Sequence, residues 1–281
     1  LMIPVFIGSS LIKFNLYINK ALATGLGEGS VSALNYANLL NNMIVTVTIN
    51  ILTTIVYPKL VQSNSLQDYQ RFNRILDMGF YIVVIIALPL SLGAMAYSHQ
   101  IVQIVYERGA FDETATLLTG SAFLYYASGL VFVSLNALLT KAYYSMHNMI
   151  TPMIFAGIGV AVNVALSLIL ISLMGINGLA LATSISTFCN TTLLYFGMKK
   201  KYPMIRILKS KKKLIKLIAA AIIAVGSSSI IYKLTFGFVH STLMGYVQLF
   251  IAVVFSAVLY YIVLFLFRIE EIKILKQLMR R

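Results

Sequence analysis

The sequence has 281 residues, of which 59% are hydrophobic and only 11% are charged. Soluble domains carry about 25% charged residues, so this composition excludes an ordinary water-soluble fold and indicates a polytopic membrane protein. The net charge is +14, and the single cysteine, Cys189, excludes a disulfide within the chain. The first residue is Leu1, and no signal-peptide pattern follows it. We therefore expect Leu1 to be an internal position of a longer protein.

Eight stretches are apolar and long enough to span a membrane, which takes about 20 residues. We expect each stretch to be a helix, because a spanning segment must satisfy its own backbone hydrogen bonds. The predicted fold class is therefore an all-α polytopic membrane protein with eight transmembrane helices. The predicted spans, in chain order, cover residues 2–23, 31–57, 79–105, 115–140, 152–174, 178–197, 214–236 and 243–267.

Basic residues concentrate on alternate connections between these spans. Most of the 22 lysines and arginines lie in one set of connections, the richest of which covers residues 199–216, whereas the opposite connections hold only Arg108. The positive-inside rule places the basic set in the cytoplasm. We therefore expect a multi-pass protein of the cytoplasmic membrane with a cytoplasmic C-terminus. The positive charge then reflects topology, so no nucleic-acid partner is predicted.

Local patterns refine three of the segments. Residues 59–77 carry apolar side chains near helical spacing, which predicts one short amphipathic helix on the cytoplasmic face. Pro89 and Gly93 predict a kink in the third span. Asp112 is a good N-cap for the fourth span, because its side chain can accept a hydrogen bond from a free backbone N–H group.

The sequence carries no pattern typical of an enzyme. It has no phosphate-binding glycine loop, zinc-ligand spacing or nucleophile elbow, so we predict no catalytic residues, no metal site and no cofactor. None of the eight carboxylates lies deep inside a predicted span, which argues against a proton relay built on carboxylates. We expect a transporter rather than an enzyme.

The strongest functional signal is polar side chains inside the first two spans. The stretch LIKFNLYINKALATGL, residues 11–26, contains Lys13 and Lys20, which share one helix face. A lysine at the bilayer centre costs about 2.5–3.5 kcal/mol, so Lys13 is expected to face a polar cavity. Lys20 lies nearer the end of the span, where it could instead extend to the interface. In the second span, a shared face carries Asn35, Asn38 and Asn42.

Several stretches resemble the MurJ (MviN) family of lipid II flippases, part of the multidrug/oligosaccharidyl-lipid/polysaccharide exporter superfamily. The resemblance covers nearly the whole chain and rests on the segments ALATGLGEGSVSALNYANLL (21–40), VYPKL (56–60), YERGAFDETAT (106–116), KAYYS with TP (141–152) and NGLALATSIS (177–186). It implies two six-helix lobes plus two terminal helices in the whole protein. By register, this chain would be the second lobe (1–200), a basic cytoplasmic linker (201–213) and the terminal pair (214–281).

The resemblance also implies a function and its residues. Family members move the lipid-linked peptidoglycan precursor across the membrane by alternating access, and a cationic cavity holds the pyrophosphate and sugar of the substrate. The implied partners are therefore a lipid-linked oligosaccharide, the lipid bilayer and a first lobe outside this sequence. The implied cavity residues are Lys13, Lys20, Asn35, Asn38 and Asn42. Leu39 stands where the family commonly has an arginine.

Some relatives bind sodium with two aspartates, an asparagine and a threonine. The matching positions here are Asn19, Asn163, Ser167 and Thr183, so both carboxylates are replaced by neutral groups and no sodium coupling is expected. Membrane potential acting on the cavity lysines is an alternative drive.

Two other functions remain open on the sequence. One is transport of a different polyprenyl-linked polysaccharide or of drugs. The other is a truncated membrane subunit that does not transport.

Overall fold

The computed structural model describes residues 2–205, 207, 210–236 and 242–267, and the regular secondary structure of these residues consists of helices, with no strand among them. The predicted all-α class is therefore confirmed. A 3₁₀ turn (Thr24–Leu26) follows the first helix, and a π-helical turn (Leu52–Val56) follows the second. The helices are α1 Met2–Ala23, α2 Ser30–Ile51, α3 Tyr57–Ser65, α4 Tyr69–Ala96, α5 Ser98–Tyr106, α6 Glu113–Ser128, α7 Leu130–Ser145, α8 Ile150–Met174, α9 Ile176–Lys201, α10 Lys211–Phe236 and α11 Thr242–Leu266.

The helices support a multi-pass membrane protein by length and composition. Six helical segments in the described residues are long and apolar enough to cross a membrane, with α2 and α3 counted as one segment, and the bent pair α6–α7 raises the number to seven. Helix α1 has 22 residues, which is sufficient length, but its lysines and asparagines lower its hydropathy. The predicted count of eight spans is therefore not confirmed on these criteria.

The predicted single helix over residues 59–77 is wrong. Helix α3 ends at Ser65 and α4 begins at Tyr69, with Gln67 between them in a left-handed conformation (φ 53°). The Asp68 side chain accepts a hydrogen bond of 2.9 Å from the backbone N–H of Arg71 and so caps a new helix. The apolar side chains keep helical spacing across this boundary, but the Asp68 cap starts a new helix there.

The third predicted span is divided at Tyr97. Helix α4 contains Pro89 and continues to Ala96, and the Tyr97 N–H group closes it by donating to Gly93 O at 3.0 Å. The structure therefore places the helix boundary beyond both residues from which a kink was predicted. The remainder of the predicted span is the separate helix α5.

The fourth predicted span is also two helices, α6 and α7, which meet at Gly129 with a bend of 44°. Asp112 caps α6 as predicted, because its side chain accepts a hydrogen bond of 2.9 Å from Ala115 N–H. Gly129 lies directly against α9, where a Cβ atom added to it would be 2.6 Å from Ser184 Oγ. The bend therefore lies where this helix pair packs tightly against α9.

The largest buried cluster joins the bundle to the last two described helices. Phe72, Tyr81 and Leu138 lie at its centre, between α4 and α7. The hydroxyl of Tyr260 on α11 donates a hydrogen bond of 3.0 Å to Ile85 O on α4. The last two helices therefore pack against α4 as well as against each other.

Candidate functional site

A cavity of about 300 Å³ lies among helices α1, α2, α6, α7, α8 and α9. We call it the asparagine cavity, because asparagine is its commonest lining residue. The remaining polar lining comes from Lys13, Tyr126, Thr183, Ser186 and Thr187, and apolar side chains complete the wall. The asparagines that define the cavity are Asn15, Asn19, Asn38, Asn41, Asn42, Asn136 and Asn190.

Three of the five predicted substrate-binding residues line this cavity. Lys13 contributes from α1, and Asn38 and Asn42 contribute from α2, where the Asn42 carboxamide donates a hydrogen bond to Asn38 Oδ1. Lys20 and Asn35 do not line it. Both are half-buried and lie nearer the connection between α1 and α2. A substrate contact by Lys20 or Asn35 therefore stays a prediction.

The electrostatic character of the asparagine cavity is close to neutral. Among the described residues that line it, Lys13 is the only charged side chain, and it is exposed at the edge of the cavity. Leu39, at the position where the family commonly has arginine, is 47% exposed and does not belong to the lining. Most of the cavity wall is apolar, and its polar part consists mainly of carboxamides, which carry both a donor and an acceptor.

Five cavity residues were not assigned to substrate binding from the sequence, and each has a buried atom without a hydrogen-bond partner in the described part of the protein. These atoms are Asn15 Oδ1, Asn41 Oδ1, Tyr126 Oη, Asn136 Nδ2 and Asn190 Oδ1. They are half of the ten unpartnered buried side-chain atoms in the described residues. Asparagine in the middle of an apolar span was the available sequence signal, but it does not show which way the side chain faces.

The four positions that match the sodium site of relatives lie together between α1, α8 and α9. The carboxamide nitrogens of Asn19 and Asn163 each donate a hydrogen bond of 3.2 Å to Thr183 Oγ1. The Ser167 hydroxyl donates to Asn19 Oδ1 at 3.2 Å. Asn19, Asn163 and Ser167 are almost completely buried. These side chains therefore form one interhelical network, which we call the α1–α8–α9 network.

The α1–α8–α9 network does not fit a sodium ion. Thr183 donates its own hydroxyl proton to Leu179 O at 3.0 Å, so its oxygen accepts and the two asparagines turn their NH₂ groups toward it. A hard cation requires converging oxygen atoms and favours anionic carboxylates, whereas this set is neutral and directs N–H groups inward. The network instead joins three helices by hydrogen bonds.

Comparison with known proteins identifies relatives over most of the chain. The family model described as lipid II flippase MurJ matches residues 1–251. The probable lipid II flippase MurJ of Treponema pallidum is 26% identical over 202 residues, which is 72% of this chain and 38% of that protein. The corresponding protein of Vibrio cholerae is 30% identical over 198 residues, 70% of this chain and 38% of the relative. The chain thus spans about 38% of the length of these relatives.

Solved structures show the same fold. A lipid II flippase MurJ in an inward closed conformation superposes with a TM-score of 0.79 at 24% identity, and the match covers 94% of this chain and 53% of that one. An outward-facing transporter of the multidrug resistance MATE family gives a TM-score of 0.65 at 14% identity, covering 94% and 63%. The fold is therefore shared by the flippase and the MATE family transporter. The match of residues 1–251 to the family model, in contrast, is specific to the MurJ family. On that match, the chain belongs to the MurJ family of lipid II flippases.

Proposed function

We propose that this chain forms part of a lipid II flippase, which moves the lipid-linked peptidoglycan precursor across the cytoplasmic membrane by alternating access. It would act as a transporter and not as an enzyme. One observation carries the proposal beyond family membership: a polar cavity, with Lys13 at its edge, lies inside a bundle of apolar helices. Polar and charged groups at membrane depth are costly and typically line a transport pathway.

The proposed architecture is a second lobe followed by a terminal pair. Residues 1–200 would form a six-helix lobe, in which α1 is a polar span and α6–α7 a bent one, so that the whole chain has eight spans. Residues 201–213 would be a basic cytoplasmic linker, and 214–281 would contain the terminal helices and a cytoplasmic tail. Exposed lysines at the end of α9 and the start of α10 support this orientation. Residues 1, 206, 208, 209, 237–241 and 268–281 lie outside the described residues.

Alternating access requires two parts that rock against each other. We infer that the second part is a first lobe that belongs to the same protein, because the relatives are more than twice as long as the segment they share with this chain. The exposed edge of the asparagine cavity, at Lys13 and Asn42, would then face that lobe. Substrate would bind between the two lobes.

In this arrangement Lys13 would contact the pyrophosphate of the substrate, since an ammonium group is a good point-charge partner for phosphate oxygens. Lys20, about two turns further along α1, would contribute a second positive charge near the end of the span. Membrane potential acting on these lysines could drive the transition between the two states without a coupled ion.

The test is complementation of a flippase-depleted strain by the full-length protein carrying Lys13→Ala and Lys20→Ala. We expect the double variant to reach the membrane in normal amounts and to fail to restore growth. Lys59→Ala, which removes an exposed lysine from α3, is the matched control and should complement fully. Normal growth with the double variant would contradict the proposal. Export of dyes without flipping of labelled lipid II would favour a drug transporter. Absence of both activities would favour a subunit that does not transport.

A further inference from the structure

We propose that α4, α10 and α11 move as one rigid unit during the transport cycle, and that Pro89 on α4 does not act as a hinge but frees the backbone acceptor to which α11 is fixed. The inference rests on the proposed function, because it identifies a part of the lobe that keeps its shape during alternating access. Three tyrosine hydroxyls carry it, since they join α4 to the last two described helices at three depths.

The central contact lies at the backbone carbonyl group of Ile85. In an α-helix this carbonyl accepts a hydrogen bond from the N–H group of residue 89, but Pro89 has no N–H group, and α4 continues through it to Ala96. The Tyr260 hydroxyl on α11 donates to Ile85 O at 3.0 Å, and the Tyr260 side chain is buried. A side chain of a neighbouring helix therefore satisfies the acceptor that the proline leaves free, as an apolar environment requires.

A second contact joins α4 to the beginning of α10. The Tyr81 hydroxyl donates a hydrogen bond of 3.2 Å to Ser210 O and accepts one of 3.1 Å from Ser210 N–H. Ser210 in turn caps α10, because its side chain accepts a hydrogen bond of 3.3 Å from the Lys213 N–H group. The Tyr81 side chain is fully buried, so these bonds are shielded from water and hold the first turn of α10 against α4.

A third contact lies at the other end of α4. The hydroxyl oxygen of Tyr97, the residue between α4 and α5, is 2.6 Å from Ser228 Oγ on α10. The Ser228 hydroxyl donates its only proton to Ala252 O on α11 at 2.7 Å, so Tyr97 is the donor to Ser228. This chain of two hydrogen bonds joins all three helices. The rings of Tyr97 and Tyr232 also pack edge to face, with their centroids 5.5 Å apart.

Together the three contacts oppose both sliding and tilting of α10 and α11 against α4. Tyr81 and Tyr97 lie about 24 Å apart along α4 at 1.5 Å per residue, close to the roughly 30 Å thickness of the hydrocarbon core. Small side chains of α10, which allow close approach, are fully buried in the same cluster as Tyr81; they are Ala220, Ala221 and Ala224. Relative movement would break several buried hydrogen bonds at once, and hydrocarbon offers no water to replace them.

The first test measures distances in the full-length protein in lipid nanodiscs, by double electron–electron resonance with and without lipid II. Spin labels are attached after Leu90→Cys on α4 and Ile222→Cys on α10, two exposed positions, in a Cys189→Ser background. We expect the distance between these two labels to stay the same within experimental error. The distance from the label on α4 to a label in the first lobe should change, because the lobes rock against each other.

The second test isolates the role of Pro89 by a double-mutant cycle on thermal unfolding in detergent. Tyr260→Phe keeps the ring but leaves Ile85 O unpaired, and should lower the Tm by about 2 °C. Pro89→Ala supplies an N–H group that bonds Ile85 O within α4, so Tyr260→Phe should lower the Tm less in this background. Tyr261→Phe is the matched control, since Tyr261 adjoins Tyr260 and is 51% exposed, and it should leave the Tm unchanged.

Each other outcome overturns the inference in a distinct way. A change in the distance between α4 and α10 would show that the terminal helices move relative to the lobe. An equal loss of Tm from Tyr260→Phe in both backgrounds would show that Pro89 does not create the acceptor. No loss in the wild-type background would show that this hydrogen bond does not fix α11. A constant distance between α4 and the first lobe would instead contradict alternating access, and with it the proposed function.

Discussion

The carboxamide of Asn19 on α1 donates a hydrogen bond of 3.2 Å to the hydroxyl oxygen of Thr183 on α9, a residue 164 positions away in the chain. Asn163 on α8 donates to the same oxygen at the same distance. Thr183 on α9 is thus the common acceptor for α1 and α8, and all three helices line the asparagine cavity. Hydrogen bonds between neutral side chains therefore hold the interface of α1, α8 and α9 together.

Replacing Thr183 by valine should destabilise the protein. The variant keeps the side-chain shape but removes the acceptor of the Asn19 NH₂ group. It also removes one of the two acceptors of the Asn163 NH₂ group, which keeps Ser186 Oγ at 3.3 Å, and the expected cost is about 1–3 kcal/mol. Thermal unfolding of the purified protein in detergent measures the effect as a lower Tm. Thr192→Val is the matched control on the same helix, since the Thr192 hydroxyl is exposed and donates only to Phe188 O. Equal Tm values for both variants would contradict a structural role for the network.

Transport should not depend on sodium. The α1–α8–α9 network is neutral and directs amide N–H groups at its centre, so it offers no favourable site to a hard cation. Replacing sodium by potassium on both sides of a proteoliposome should leave the rate of lipid flipping unchanged. A rate that rises and saturates with sodium concentration would show that a cation binds after all, here or elsewhere in the protein.

Two glycine-to-alanine substitutions should change the stability of the protein in opposite directions. Gly129→Ala places a Cβ atom 2.6 Å from Ser184 Oγ, so α9 must shift away from the α6–α7 bend at an expected cost of about 1–3 kcal/mol. Gly226→Ala on α10 meets no heavy atom within 4 Å and should stabilise its helix by up to about 1 kcal/mol. Thermal unfolding of both variants distinguishes them. Stabilisation by Gly129→Ala would mean that α9 does not approach this closely.

Removing the cap of α6 should lower the stability of the protein moderately. Asp112→Ala deletes the acceptor of the Ala115 N–H group and should cost about 0.5–2 kcal/mol, whereas Asp112→Asn retains an acceptor and should cost much less. Unfolding midpoints of the two variants provide the comparison. If Asp112→Asn destabilised as much as Asp112→Ala, the carboxylate charge rather than the cap would be the important feature.

The asparagine cavity shows where sequence-based reasoning was sufficient and where it was not. The high energetic cost of a charge in hydrocarbon was enough to predict that Lys13 faces a polar space, and Lys13 does line the cavity. Asn136 and Asn190 were not assigned to the cavity from the sequence, because the direction in which each side chain faces depends on how its helix packs. The cavity could be assigned only when residues from distant parts of the chain were placed around one space.

The sequence by itself determined the class of the protein and local features such as the Asp112 cap of α6. Hydropathy and segment length require helices in a membrane, and side chains such as Asp112 act within a few residues of their own position. The tertiary structure alone decided the break between α6 and α7, the neutral α1–α8–α9 network and the placement of asparagines from several helices around one cavity. These features depend on contacts between helices, and the 3.6-residue period of one helix carries no information about which neighbour its polar face will meet.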